Sequence, residues 1–476
     1  MSSSPYRSLG KNTAIFAIGT FGSKAISFFM LPIFTRVLTQ ADYGKIDIIT
    51  TSISLLLPLL TLNIVEAVFR FTLDKGSVEE KQAIFTSALT VGIGGFLFLL
   101  FFIPVFIHFG VSGQLLVAFL ALFLVDVVSG ISRVIIRAEQ KLKLFAISDM
   151  LRTAAFAIFG IYLVAFLRMG VIGYLLSQII AAFVSTIIVF VFGSLRRYIR
   201  VSTISKAVLL RLAKYSLPLV PNTLGWWIIN ASDRYLLIYF LGFDAAGVYA
   251  VAHKFPLLIT VLSGIFYQAW QISSIEQYSE KPAARDQFYS NVFRFLYSTM
   301  FLLLAVLAIF VKPLVNLLVG AAFSNSWRFV PILLIGVVFQ SFSSIYGVGY
   351  LASKKTKGAL TTTLWASAIN ILLNIALIPI IGIQAASIST ATAFILMWIL
   401  RLFQTRRYFA IKIDWPNFIT VAAIASFSML LTVIVERPAV IQIGLLLFLL
   451  IIQRKVFCSI VNRLLNLIKT RFINMP

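Results

Sequence analysis

Charge of one sign is scarce in this chain: 16 Asp and Glu stand against 40 Lys and Arg, and charged residues make up only 12% of the whole. A soluble domain carries about a quarter of its residues as charge, so an ordinary water-facing surface is excluded. A single cysteine, Cys458, excludes an internal disulfide and any thiolate metal cage. The only histidines, His108 and His253, are too far apart for zinc-type spacing. There is no phosphate-cradling Gly-rich loop ending in Lys-Ser/Thr and no His-Glu-x-x-His pair. Nucleotide hydrolysis and hydrolytic metal chemistry are therefore not expected, and neither a cofactor nor a bound metal is called for. No polar stretch is long enough for a soluble domain, since the longest gap between apolar runs is about 195–214.

What the chain has instead is apolar sequence. Hydrophobic residues make up 60% and the mean hydropathy is +0.99. The runs are long enough for helices to cross a hydrocarbon core ~30 Å thick. The ~10-residue alternation of a transmembrane β-barrel is missing. The expected spans are 12–37, 46–71, 83–108, 113–136, 146–167, 170–194, 215–240, 247–273, 290–311, 327–352, 359–381, 384–407, 415–435 and 439–459. The fold class is thus all-α and polytopic, with about fourteen transmembrane helices. No cleavable signal is expected, because the polar start runs straight into a span-length apolar run.

An even number of spans puts both ends on one side, and the basic residues say which. Loops on the side of the termini hold 31 of the 40 Lys and Arg, against six in the opposite loops. By the positive-inside rule the N- and C-termini are cytoplasmic. The same bias accounts for most of the net charge of +24 without a nucleic-acid partner.

The halves resemble each other. Leu38-Thr-Gln-Ala-Asp-Tyr-Gly44 follows span 1 and Leu241-Gly-Phe-Asp-Ala-Ala-Gly247 follows span 7, at an offset of 203. Pro104 precedes Gly110 as Pro313 precedes Gly320, and Arg196-Arg197-Tyr198 matches Arg406-Arg407-Tyr408. The expected organisation is a six-span half (1–194), a basic cytoplasmic linker (195–214), a second six-span half (215–409), and two further helices with a basic tail (410–476). Six-span units repeat in parallel, about an axis along the membrane normal.

A charge inside a span costs ~2.5–3.5 kcal/mol even on the lenient insertion scale, and so marks protein or a water-filled cavity. Lys24 sits mid-span in a polar stripe with Thr20, Ser23 and Ser27. Asn222, Trp226, Asn230 and Arg234 share one face of span 7, with Asp233 beside Arg234 as a neutralising neighbour. Span 8 carries His253 and Lys254. The acidic groups are Glu66, which can pair with Arg70 one turn on, Asp126, Asp149 and Asp233. Asn370 and Asn374 suit hydrogen bonding between helices. Pro58, Pro218, Pro221, Pro256 and Pro379 permit bends.

The segments Leu38–Gly44, Arg137-Ala-Glu-Gln-Lys141, Gly170-Val-Ile-Gly173, Asp233-Arg-Tyr-Leu-Leu237 and Gly247-Val-Tyr-Ala-Val-Ala-His-Lys254 carry a resemblance to the Wzx-type polysaccharide flippases of the MATE-like MOP superfamily. The resemblance implies two six-helix bundles in a V around a central cavity. It implies transport of undecaprenyl-diphosphate-linked oligosaccharides from the inner to the outer leaflet of the bacterial cytoplasmic membrane. Membrane potential would drive the step, with proton or sodium antiport as an addition. Polymerase and chain-length proteins of the same pathway would be partners beside the membrane lipids. On this reading Lys24, Arg36, Asn230, Arg234 and Lys254 bind substrate, and Glu66, Asp126, Asp233 and His253 couple ions. Related lipid II flippases carry cavity arginines on helices 1, 2 and 8; here helix 2 departs, its only basic residue, Arg70, lying at the inner end. A MATE-type antiporter of organic cations is the alternative, kept open by Asp126 and Asp233.

Overall fold

The computed structural model describes residues 22–24, 26–73, 77–278, 280–353 and 357–454, and the side chains of all of these except 269, 272 and 351. Thr20, Cys458, and the basic residues Arg7, Lys11, Lys75, Lys354, Lys355 and those from Lys455 onward lie outside the described residues. Regular structure among the described residues is helical throughout: α1 Leu31–Val37, α2 Gln40–Leu60, α3 Ile64–Leu73, α4 Val78–Leu100, α5 Ile103–His108, α6 Gly113–Ala138, α7 Leu142–Gly160, α8 Gly170–Gly193, α9 Lys206–Ser216, α10 Val220–Ala252, α11 Leu257–Tyr278, α12 Pro282–Leu318, α13 Val330–Ala352, α14 Lys357–Ile381, α15 Gln384–Thr405, α16 Trp415–Ile434 and α17 Ala439–Arg454.

Eleven of these segments are long and apolar enough to cross a membrane, and Leu257–Gln268 and Ala439–Arg454 are shorter apolar helices. Of the first expected span, 12–37, residues 12–21 and 25 lie outside the described residues. Large apolar side chains that a water-soluble protein would bury stand outward, among them Phe101 at 81% and Val440 at 82% exposure. Their solvent is lipid, so the protein is a multi-pass membrane protein.

Several expected spans are broken where the backbone leaves helical geometry. The run 46–71 is split between α2 and α3 at Leu62 and Asn63, both with φ +53°. There the Asn63 amide donates to the Pro58 carbonyl at 2.7 Å, which widens the turn after the proline. The run 247–273 is interrupted by a turn over 253–256 that ends at Pro256. Gly242, at φ +84°, divides α10 into two helices, a conformation that only glycine adopts without strain.

The chain divides into two compact units: one from the N-terminus through Val251 with Leu318–Phe323, the other Ala252–Leu317 with 324 onward. In the first, α3, α4, α6 and α8 pack around Phe85, Leu122, Phe123 and Val189. Salt bridges run reciprocally between α6 and α7: Asp126 with Arg152 at 2.6 Å, Asp149 with Arg133 at 2.5 Å. Here Asp149 also accepts from Ser23 at 3.0 Å.

The second unit centres on α13 and α15. Gly336 lets them approach until an added Cβ would lie 3.0 Å from the Ala391 Cα, the small-residue packing expected where lipid supplies no hydrophobic drive. Phe293, Phe301, Phe342, Trp398 and Phe418 form a buried aromatic cluster. Two buried glutamines fasten the last two helices within this unit. Gln442 donates to the Ala308 and Ser428 carbonyls and to Thr432, and Gln453 bonds Ser298 and Asn417. Asn370 and Asn374 are buried and bond each other within α14 at 3.3 Å.

Just after α6, Glu139 gathers Lys141 at 2.8 Å, Lys81 at 3.3 Å and the hydroxyl of the linker residue Tyr198. Burial pushes this carboxyl up, but hydrogen bonds from Lys141, Tyr198 and Lys81 outweigh it and hold Glu139 below the usual carboxylate range. A depressed carboxylate stabilises the fold above its unfolded pKa and loses that contribution as pH falls through the folded value. Thermal stability is therefore expected to drop as pH is lowered below about 4. The Glu139→Gln variant should be less stable at neutral pH and show a flatter profile, as measured by thermal unfolding in detergent.

Candidate functional site

The repeated segment Leu38–Gly44 is legible residue by residue. Thr39 caps α2 and exchanges bonds with Asp42: the Asp42 amide donates to the Thr39 hydroxyl at 3.1 Å, and that hydroxyl donates to the Asp42 carboxylate at 2.8 Å. This capping box starts the helix at Gln40. Gly44 and its counterpart Gly247 meet. A Cβ on Gly44 would lie 2.2 Å from the Phe243 carbonyl oxygen, and one on Gly247 would lie 2.0 Å from the Gln40 carbonyl oxygen. Gln40 and Phe243 are themselves related by the 203-residue offset. The contact is reciprocal under that offset.

Below this contact, α2 and the first part of α10 are zipped by polar groups. Asn63 donates to Thr223 at 3.3 Å, Trp227 donates to the Thr51 carbonyl and to Ser54, and Ser52 bonds the Tyr235 hydroxyl at 2.6 Å. At its centre lies an ionic cluster. The Arg234 Nε donates to Asp47 at 2.8 Å and a terminal nitrogen donates to Asp233 at 2.8 Å and to the Asn230 carbonyl. Tyr249, beyond the Gly242 break, donates to the other oxygen of Asp233 at 2.5 Å. Asp233 is wholly buried and Arg234 nearly so. Two carboxylates thus flank one guanidinium, so the cation is fully matched and, with both acids ionised, the cluster carries one negative charge in excess.

Of the sequence candidates, Asn230, Asp233 and Arg234 are brought together here. The Asn230 amide donates to the Trp226 carbonyl at 2.8 Å. Asp126 lies elsewhere, in its bridge to Arg152, and Glu66 is exposed on α3. Lys24 and Arg36 are exposed, Lys24 beside buried Ser23 and Arg36 in the last turn of α1. His253 and Lys254 sit half-buried in the turn before α11, in the second unit.

Two participants in this cluster were missed in the sequence, and so was a buried cation of the second unit. Asp47 stands at the start of its expected span, where charges are unremarkable, and Tyr249 is one aromatic among many. Arg401 reads as a cytoplasmic-loop cation. It is in fact buried in α15, donating to the Ser343 carbonyl at 2.8 Å and to Thr362 and Thr363 at 3.2 Å. Its place inside the expected span 384–407 was the available signal.

Comparison with known proteins bears on what such a chain is. Residues 9–271 match the family described as polysaccharide biosynthesis protein. An uncharacterized membrane protein of Methanocaldococcus jannaschii is 24% identical over 234 residues, 48% of this chain and 45% of that protein. The match therefore spans less than half of that relative's length. A lipid II flippase MurJ in an inward closed conformation superimposes with a TM-score of 0.70 at 16% identity, over 94% of this chain and 100% of that one. A multidrug MATE transporter of the MOP superfamily matches in its inward-facing form (TM-score 0.62, 13% identity, 86% of this chain and 94% of that one) and its outward-facing form (TM-score 0.61, 14% identity, 83% and 95%). The chain belongs to the polysaccharide biosynthesis protein family and has the all-helical fold that MurJ shares with the MATE transporters of the MOP superfamily.

Proposed function

We propose that this chain flips undecaprenyl-diphosphate-linked oligosaccharides from the inner to the outer leaflet of a bacterial cytoplasmic membrane, with its termini on the cytoplasmic side. The observation that carries this reading is that a chain of the polysaccharide biosynthesis family has, along 94% of its length, the fold of a lipid II flippase. The bias of basic residues toward one set of loops supports the sidedness. The two six-span halves around the 195–214 linker are the moving parts of this reading, and the symmetric Gly44–Gly247 contact supports a shared origin for them.

Charge movement supplies the drive. Each elementary charge is worth about 2.3 kcal/mol per 100 mV, so a lipid diphosphate of about two negative charges moves outward downhill across an inside-negative membrane. Lys24, Arg36 and Lys254 are cations suited to accompany the diphosphate. Arg234 is already matched by Asp47 and Asp233, which suits that cluster to exchanging a proton or sodium ion during the cycle. Its two carboxylates also keep the second reading alive, a MATE-type antiporter of organic cations.

Deleting the gene separates the readings. Lipid-linked oligosaccharide is expected to accumulate on the inner leaflet. Dissipating the potential in proteoliposomes holding the wild-type chain should slow outward transport severalfold, about 2.3 kcal/mol per charge per 100 mV being withdrawn. Normal glycan export together with altered sensitivity to cationic drugs would overturn the proposal in favour of the antiporter.

A further inference from the structure

Within the second unit, α11 and α13 enclose a cleft of about 190 Å³ whose polar lining is neutral: Thr260, Ser263 and Tyr267 from α11, and Gln340, Ser341 and Ser344 from α13. The four Ser and Thr hydroxyls each donate to a carbonyl of their own helix: Thr260 to Pro256, Ser263 to Thr260, Ser341 to Val337 and Ser344 to Gln340. With their protons engaged, these oxygens offer lone pairs to a ligand. The Gln340 amide and the Tyr267 hydroxyl hydrogen-bond to no other described side chain, and so supply donors. The four hydroxyls are satisfied within their own helices, so it is the Gln340 amide and the Tyr267 hydroxyl that call for a polar occupant, because an unmatched polar group is costly away from water.

The chemistry of that lining selects the ligand. A phosphate would call for a cation in the wall, and an organic cation for a carboxylate. The wall has neither, because nearby Arg401 is committed to Ser343, Thr362 and Thr363. An acyl or prenyl tail would find no reason for hydroxyls. Closely spaced neutral donors and acceptors beside the aromatic side chains of Phe266 and Tyr267 match an uncharged sugar ring, which carries both hydroxyls and apolar C–H groups. The volume is below the ~300–1,000 Å³ of pockets for larger ligands, and has room for a single ring.

We propose that this cleft is a glycan subsite that holds one neutral monosaccharide of the transported lipid-linked oligosaccharide, separate from the groups that meet the diphosphate. The assignment rests on the proposed function. The test uses the full chain in lipid nanodiscs and two probes: lipid-linked oligosaccharide extracted from cells lacking the chain, and undecaprenyl diphosphate without sugar. Gln340→Leu should weaken binding of the first about tenfold or more, the loss of one or two hydrogen bonds, while leaving the second unchanged. Tyr267→Phe, which keeps the ring and the shape, should give a smaller loss in the same direction, with both variants unfolding at the wild-type temperature. Oligosaccharide binding equal to wild type in both variants overturns the subsite and leaves the flippase reading standing. A wild-type chain that binds neither probe overturns the flippase reading and this one with it.

Discussion

Replacing Arg234 by leucine is expected to abolish export and to destabilise the protein by about 3–5 kcal/mol, the cost of leaving buried carboxylates without their cation. Asp233 is fully buried and Asp47 nearly so, and each lies 2.8 Å from the guanidinium. Without it, the two carboxylates face each other in a medium that stabilises neither. Arg234→Lys is not conservative here, because one ammonium cannot reproduce the fork that reaches Asp47, Asp233 and the Asn230 carbonyl together. Adding Asp47→Asn and Asp233→Asn to Arg234→Leu removes the orphaned charge, and thermal unfolding should then recover most of the lost stability. Export, read as lipid-linked oligosaccharide left on the inner leaflet, should stay absent if the cluster exchanges an ion. Export restored along with stability would reduce the cluster to a structural brace.

The second large effect concerns the glycine pair. Gly44→Ala and Gly247→Ala each place a methyl group about 1 Å inside ordinary contact with a main-chain carbonyl, which cannot rotate away as a side chain would. Overpacking of this kind costs about 1–3 kcal/mol, and here the whole of α2 must back away from the segment after Gly242. Because the contact is symmetric under the 203-residue offset, the two substitutions should impair export to similar degrees, and the double variant should cost less than their sum. Gly130→Ala, in a helix interior with nothing within 4 Å of the added atom, should gain a few tenths to about 1 kcal/mol. Export in Gly44→Ala and Gly247→Ala equal to that of Gly130→Ala would remove the argument for a tight inter-repeat contact.

The Asp233–Arg234 pair was visible because it is local, its two residues being adjacent in the sequence. Asp47 was not, because its distance from Arg234 is 187 residues in sequence and nothing near Asp47 announces its partner. Gln442 and Gln453, both in the last expected run, anchor α16 and α17 through partners far away in the sequence. The breaks at Leu62–Asn63 and before Pro256 fall inside runs of unbroken hydropathy, which is blind to φ and ψ; Pro58 and Pro256 were the local signs that the chain can bend there.

The amino-acid sequence by itself determined the solvent and therefore the fold class: apolar runs of span length in a chain with 12% charge admit only helices that satisfy their own backbones in lipid. It also showed the internal likeness of the segments ending at Gly44 and Gly247. Only the tertiary structure decided which buried charges are matched, that these two glycines touch, that Arg401 is held by neutral oxygens, and that neutral hydroxyls of α11 and α13 face one cleft. The physical reason is that transfer from water to lipid is a sum over residues and can be read along the chain. Pairing depends on which helices become neighbours, and no local pattern records that.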